Sequence, residues 1–179
     1  MTQPLIILDR DGVINYDSDN YIKSEEEWLP IPSSLTAIAQ LTKAGYLIAI
    51  ASNQSGLSRN YFTLQTLENI HQKMFETIKD HGGQINAIEF CPDHPDNPGP
   101  NRKPAPGMVN KLLEQFQAQA GETWFVGDSI SDIYCALNAG CKPALVLTGK
   151  GRKTQKIESF DNNIPVFNDL LAFTNHILN

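Results

Sequence analysis

Cysteine is scarce: Cys91, Cys135 and Cys141 are all the chain has in 179 residues, and none stands in a C-x-x-C pair. An odd number without paired spacing leaves no disulfide framework and points to a reducing compartment. Positive charge is also short. Lys and Arg number 14 against 20 Asp and Glu, a formal net charge of -6. A surface that grips phosphodiester backbone needs clustered Lys and Arg, so nucleic acid is not the expected partner. A small phosphorylated substrate needs only a local cationic pocket. Long apolar runs are missing too. The stretch around Tyr46–Ala51 is far too short to span a bilayer. The N-terminal MTQPLIILDRDG has no basic region before its short apolar run, so it reads as a core strand rather than a signal peptide. Neither repeat nor low-complexity tract nor linker divides the chain. These absences lead to the expectation of a cytoplasmic, monomeric protein with a single domain over residues 1–179 and no membrane contact.

What is present is an alternation. Strand-like apolar runs fall at Leu5–Leu8, Tyr46–Ala51, Ile85–Phe90, Thr123–Val126 and Ala144–Leu147, with a weaker one at Pro165–Phe167. Segments of helical period lie between them. Leu35, Ile38 and Leu41 lead to Gly45, and Leu64, Leu67, Ile70, Met74 and Ile78 to Gly82-Gly83. Met108, Leu112 and Phe116 precede Gly121, Ile133 to Leu137 end at Gly140, and Leu170 to Phe173 close the chain behind an Asn168 cap. That order predicts an α/β fold, a mostly parallel sheet with helices on both faces. Two stretches escape the alternation, about 15–32 and 91–106. Both follow a strand and would overhang its carboxyl end, where open α/β sheets bind ligands.

The strand ends carry the chemistry. The first delivers Asp9 and Asp11, one residue apart and so expected on one face. Like charges placed together repel unless a cation or a reacting group joins them. The second strand offers Ser52, Asn53, Gln54 and Ser55. The third leads through its loop to Arg102 and Lys103, and the fourth to Asp128 and Asp132. Asp9, Asp11 and Asp128 make an oxygen-rich set suited to Mg²⁺. Lys103 and Ser52 would hold phosphoryl oxygens. One aspartate can then attack phosphorus while the other handles the leaving-group and water protons.

The stretches LDRDGVIN, ASNQSG, RKPAPGM and VGDSISD resemble, in order, the four motifs of the haloacid dehalogenase (HAD) phosphatase superfamily. Within it the chain is similar to the subfamily of heptose 1,7-bisphosphate phosphatases and histidinol-phosphatase domains. Its signs are the DRDG form, NQSG with Arg59 soon after, CPDHP at Cys91–Pro95 and RKPAPGM. The resemblance runs from about Leu5 to Gly151. It implies a Rossmann-like, HAD-type, doubly wound fold without a separate cap domain. It also implies Asp9 as nucleophile, Asp11 as acid/base, and Ser52 and Lys103 as phosphoryl stabilisers. Asp9, the Asp11 carbonyl and Asp128 would bind Mg²⁺. Asp17, Tyr21, Asn53, Gln54, Ser55 and Arg102 would line the substrate side. The implied substrate is a small sugar phosphate, foremost D-glycero-D-manno-heptose 1,7-bisphosphate losing its 7-phosphate on the route to bacterial surface polysaccharide. Histidinol phosphate is the alternative, with a polynucleotide 3′-phosphate or a catalytically silent binding relative further behind.

Two departures from that pattern stand out. Relatives hold a structural Zn²⁺ with a Cys/His pair and a later C-x-C. Here Asp93 occupies a ligand position and no cysteine precedes Arg102, so the structural Zn²⁺ is expected to be absent. Ser129 stands where the family often has Lys or Arg. Asp132 reads as a helix-start aspartate supporting the ligands rather than as a ligand. Cys135 and Cys141 read as buried small side chains, and His71, His81 and His176 as structural or exposed. The basic GKGRK stretch, Gly149–Lys153, lacks P-loop spacing and reads as an exposed loop within reach of a distal phosphate. Trp28 either packs the first loop down or stacks on a sugar.

Overall fold

Strands buried on both faces read as unbroken apolar runs, and the computed structural model, which describes residues 3–179, places six strands in one parallel sheet. In chain order the elements are β1 (Leu5–Leu8), α1 (Pro32–Lys43), β2 (Leu47–Asn53), α2 (Leu64–Asp80), β3 (Ala87–Cys91) and α3 (Gly107–Phe116). They continue with a 3-10 turn (Ala120–Glu122), β4 (Trp124–Gly127), α4 (Ile130–Asn138), β5 (Lys142–Val146), α5 (Gly151–Thr154), β6 (Val166–Phe167) and α6 (Leu170–Leu178). The strand order is β3-β2-β1-β4-β5-β6.

That order explains the site's place. The chain winds one way from β1 to β3, then returns to the other side of β1 with β4. Leu8 is in register with Ile50 of β2 and Val126 of β4, so the residues after β1 and β4 emerge side by side at the switch point, where such sheets form a crevice. Period-2 alternation sends Ile6 and Leu8 to one core with α1, α2 and α6, through Ile38, Leu41, Ile70, Met74 and Phe173. Leu5 and Ile7 go to the other core with α3 and α4, through Met108, Leu112, Cys135 and Ala136. The helices therefore cover both faces, as the alternation predicts, in a doubly wound, Rossmann-like fold, and the described residues form no separate cap domain.

Several boundaries move. β2 runs on through Ser52 and Asn53, and β3 takes in Cys91, because these residues still pair across the sheet at Ser52↔Phe90 and Asn53↔Cys91. The α6 cap is Asp169, not Asn168: the Asp169 carboxylate accepts from Ala172 N at 2.8 Å, the bond an N-cap must make three residues on. The GKGRK stretch is not all loop, since Gly151–Thr154 form a turn of helix. Trp28 is fully buried in the first core, and Lys73 Nζ donates to Glu25 O (2.6 Å) and Trp28 O (3.3 Å). Trp28 thus packs the first loop down and is not available to a sugar. No helix among the described residues is long and apolar enough to cross a membrane.

Candidate active site

β1 ends where Asp9 N donates to Val126 O at 3.0 Å, which aims Asp9 into the crevice. The next three residues turn sharply. Gly12 has φ +85°, and a β-carbon there would run into Asp128 Oδ2, so only glycine lets the turn pass under that carboxylate. Asp9 and Asp11 both line the crevice, but they do not face each other unpartnered. Arg10, fully buried, folds beneath Asp11 and donates from Nε (3.0 Å) and Nη2 (2.9 and 3.0 Å) to its carboxylate. Asn15 Nδ2 (2.9 Å) and Gln54 Nε2 (3.0 Å) add two more donors. Burial works against the charged form of Asp11, yet the guanidinium and these hydrogen bonds outweigh it and hold Asp11 below the ordinary carboxylate range. Part of the expected repulsion is therefore relieved from inside the motif. Arg10 Nη1 also faces His71 Nε2 at 3.4 Å. Burial, then Arg10, push His71 down to about 4, so the ring is neutral.

Lys103 is buried with every donor engaged. Its Nζ donates to Ala51 O (2.8 Å) and pairs with Asp9 (2.9 Å) and Asp132 (2.7 Å). Burial alone would depress this amine, but Asp132 and Asp9 reverse the effect and hold it above its usual value. Asn53 fixes the lysine from the end of β2. Its side chain accepts from Lys103 N (3.0 Å) and donates to Lys103 O (3.1 Å). Asp132 is the third residue of α4 and forms a capping box with Ser129, accepting from Ser129 N (3.0 Å) and Oγ (2.7 Å). It thus starts the helix and neutralises Lys103 in one position, which matches its expected supporting role.

Asp128 receives Lys150 N at 2.7 Å on Oδ2. Burial raises its carboxyl to about 9, with Asp132 and Asp9 adding to the effect. Burial likewise raises Asp9, to about 7, against the pull of Lys103 and with the push of Asp132 and Asp11. One carboxylate oxygen each from Asp9, Asp128 and Asp132 lie within 4.8 Å of one another. An all-oxygen group of buried acids, with Asp132 already matched by Lys103, leaves Asp9 and Asp128 short of positive charge. The donor set fits a hard divalent cation.

The crevice is a cavity of about 320 Å³ lined by Asp9, Asp11, Asp17, Tyr21, Asn53, Gln54, Ser55, Arg102, Lys103, Asp128 and Asp132. Ser52 alone of the predicted residues is not in its wall. It is buried, and its Oγ accepts from Gln54 Nε2 at 2.8 Å. Tyr21, at φ +64°, packs edge-on against Tyr61 with ring centres 5.0 Å apart. Arg102 Nη1 donates to Asp93 O at 3.0 Å, while Asp93 Oδ2 accepts from Gly99 N at 2.9 Å and shapes that loop. Two participants escape a reading of the sequence by strand ends, Arg10 and His71, while Lys150 belongs to the basic stretch expected within reach of a distal phosphate. Arg10 stood between the two aspartates and was legible as the nearest cation. His71 lies on α2, far along the chain, and nothing local marks it.

A family model described as HAD-hydrolase-like matches residues 100–173. A D-glycero-beta-D-manno-heptose-1,7-bisphosphate 7-phosphatase of Neisseria meningitidis is 51% identical over 177 residues, covering 97% of this chain and 94% of the relative. The chain belongs to the heptose-bisphosphate phosphatase family of HAD-like hydrolases. A family member of the same description from Pseudomonas aeruginosa is 45% identical over 178 residues, covering 99% of both chains. Among solved structures, a D,D-heptose 1,7-bisphosphate phosphatase of B. bronchiseptica, complexed with magnesium and phosphate, superposes with a TM-score of 0.95 at 44% identity, over 98% of each chain.

Proposed function

We propose that this HAD-type phosphatase uses Mg²⁺ to remove the 7-phosphate of D-glycero-D-manno-heptose 1,7-bisphosphate through a phosphoaspartate on Asp9. The observation that carries the reading is Lys103 pinned between Asp9 and Asp132, with Asp128 opposite, in a chain alike end to end with heptose-bisphosphate phosphatases.

Asp9 and Asp128, with the Asp11 carbonyl, would hold the cation. Bound there, Mg²⁺ supplies the positive charge that lets a carboxylate approach an anionic phosphoryl group. The protein's own groups do the rest. An Asp9 oxygen forms the new bond to phosphorus as the bond to the sugar oxygen breaks, and Asp11 donates a proton to that departing oxygen. Arg10 holds Asp11 ionised in the free protein. The substrate dianion, a like charge brought beside it, acts in the opposite direction and gives Asp11 its acid form. Asp11, now a carboxylate, takes a proton from water, whose oxygen attacks phosphorus and frees Asp9. Lys103 balances phosphoryl charge throughout, and Ser52 is proposed to assist through Gln54, since its own hydroxyl lies behind that side chain.

The test is phosphate release with Mg²⁺ from both anomers of heptose 1,7-bisphosphate, beside histidinol phosphate and a short 3′-phosphorylated DNA. Strong preference for one heptose anomer, abolished in Asp9→Asn, is the expected result. Turnover led by histidinol phosphate or DNA would overturn the substrate, and activity surviving in Asp9→Asn would overturn the phosphoaspartate.

A further inference from the structure

A substrate with two phosphates presents the crevice with an electrostatic problem. Six carboxylates line it against three cations, Arg102, Lys103 and Lys150. Lys103 serves only one end, because all three of its donors are engaged by Ala51 O, Asp9 and Asp132. The second phosphate, a dianion among acids, must find its counter-charge elsewhere in the wall. Ser129 brings none: its hydroxyl bonds Asp132 and Ser131 at the start of α4.

Lys150 has the right place and the right freedom. Its backbone N–H is anchored on Asp128 Oδ2 at 2.7 Å, so the residue starts at the rim of the acid cluster. Its side chain runs outward along the wall to Asp17, 3.4 Å from Nζ, with about half its surface exposed (53%). A pair that long and that wet is weak, and exchanging Asp17 for a phosphate costs little. The position is fixed from below by glycine. Gly149 (φ +54°) passes so close to Gly12 and Asp128 that a β-carbon would strike both, which pins the base of the lysine while leaving its tip free. Arg102 faces the crevice from the loop after β3 with one donor tied to Asp93 O, and its other guanidinium N–H groups have no hydrogen-bond partner among the described residues.

We infer that Lys150 is a specificity-determining residue that, together with Arg102, binds the phosphate that is not transferred. The inference rests on the bisphosphate reading above, and its test separates the two. Inhibition of p-nitrophenyl phosphate hydrolysis reports binding whether or not the inhibitor is turned over. In the wild type, heptose 1,7-bisphosphate should inhibit at lower concentration than heptose 7-phosphate. Lys150→Gln should raise the bisphosphate inhibition constant about tenfold to a hundredfold more than the monophosphate constant, the range for losing one charged hydrogen bond. Lys150→Arg should restore most of the difference, and melting temperatures should confirm that both variants are folded. Equal shifts for the two sugars, no shift for either, or a wild type that binds them alike would overturn the assignment. A wild type that binds the bisphosphate through Lys150 but does not hydrolyse it would overturn the proposed function and leave the role of Lys150 standing.

Discussion

At the scale of single residues several charges of the site are matched by a named neighbour, and Arg10 shows how far inward that pairing extends. Its guanidinium is fully buried, faced by Asp11 and Gln54 on one side and by the neutral ring of His71 on the other. Protonating His71 would bring a second cation against a buried one. The folded-state value of about 4 lies below the ordinary 6.5, so between these pH values the unfolded chain binds a proton that the folded chain refuses. Stability from this ring is therefore full above about pH 6.5 and is lost as pH falls toward 4, by up to about 3 kcal/mol at 1.36 kcal/mol per unit. Urea unfolding of the wild type and His71→Gln across that window should show the wild type losing ground to the variant as the pH drops. Parallel curves would mean that the ring titrates freely and does not back the Arg10 clamp.

At the scale of elements, the start of α4 has two duties that another helix start separates. Ser129 caps α4 and also holds Asp132, which holds Lys103. Asp169 caps α6 by the same kind of bond, to Ala172 N at 2.8 Å, but lines no part of the crevice. Removing either cap should cost about 1 kcal/mol of stability. Only Ser129→Ala should also lower kcat/KM, by about tenfold, the usual effect of loosening a partner of a catalytic group. Asp169→Ala should stay within about twofold of wild type, and activity lost equally in both would show that α4 acts merely by its stability. The same comparison shows what the sequence discloses. Apolar runs and glycine stops located every strand and the long helices, because burial on both faces leaves a continuous signal. The cap at Asp169 and the helix at Gly151–Thr154 were missed because a one-residue shift of a cap and a single turn leave almost no pattern. Eleven predicted residues do line one cavity, since each followed a strand that the topology brings to one end. Ser52 differs because whether a hydroxyl faces the cavity or lies behind Gln54 is decided by a side chain two residues on.

At the scale of the whole molecule, the fold holds an unfavourable charge cluster in place, and its stability should report what fills it. Six parallel strands bring Asp9 and Asp128 together at the switch point, and burial with the charge of neighbouring aspartates raises them to about 7 and about 9. Carboxyls raised in the folded state give stability that is complete below their ordinary pKa and lost as pH rises through the raised values. These two groups should therefore weaken the metal-free protein from about pH 4 toward pH 9, a trend read cleanly above about pH 6.5, where the opposite contribution of His71 is complete. A bound divalent cation cancels the repulsion and reverses that trend. At a Mg²⁺ concentration about a hundred times its Kd, mass action contributes about 2.7 kcal/mol, which for a chain of this size raises Tm by about 5–10 °C. Asp128→Asn removes a carboxyl that the metal-free fold must keep protonated at pH 8 while the unfolded chain ionises it, and it keeps an oxygen to accept from Lys150 N–H. Without Mg²⁺ at pH 8 it should be more stable than the wild type, on the order of 2 kcal/mol, yet gain little from Mg²⁺ and release no phosphate. Thermal melts of both proteins, with Mg²⁺ and with chelator, decide it. A wild type indifferent to Mg²⁺, or a variant less stable than wild type in chelator, would mean that the three acids are reconciled by Lys103 alone and that the cation plays no part in holding the site together.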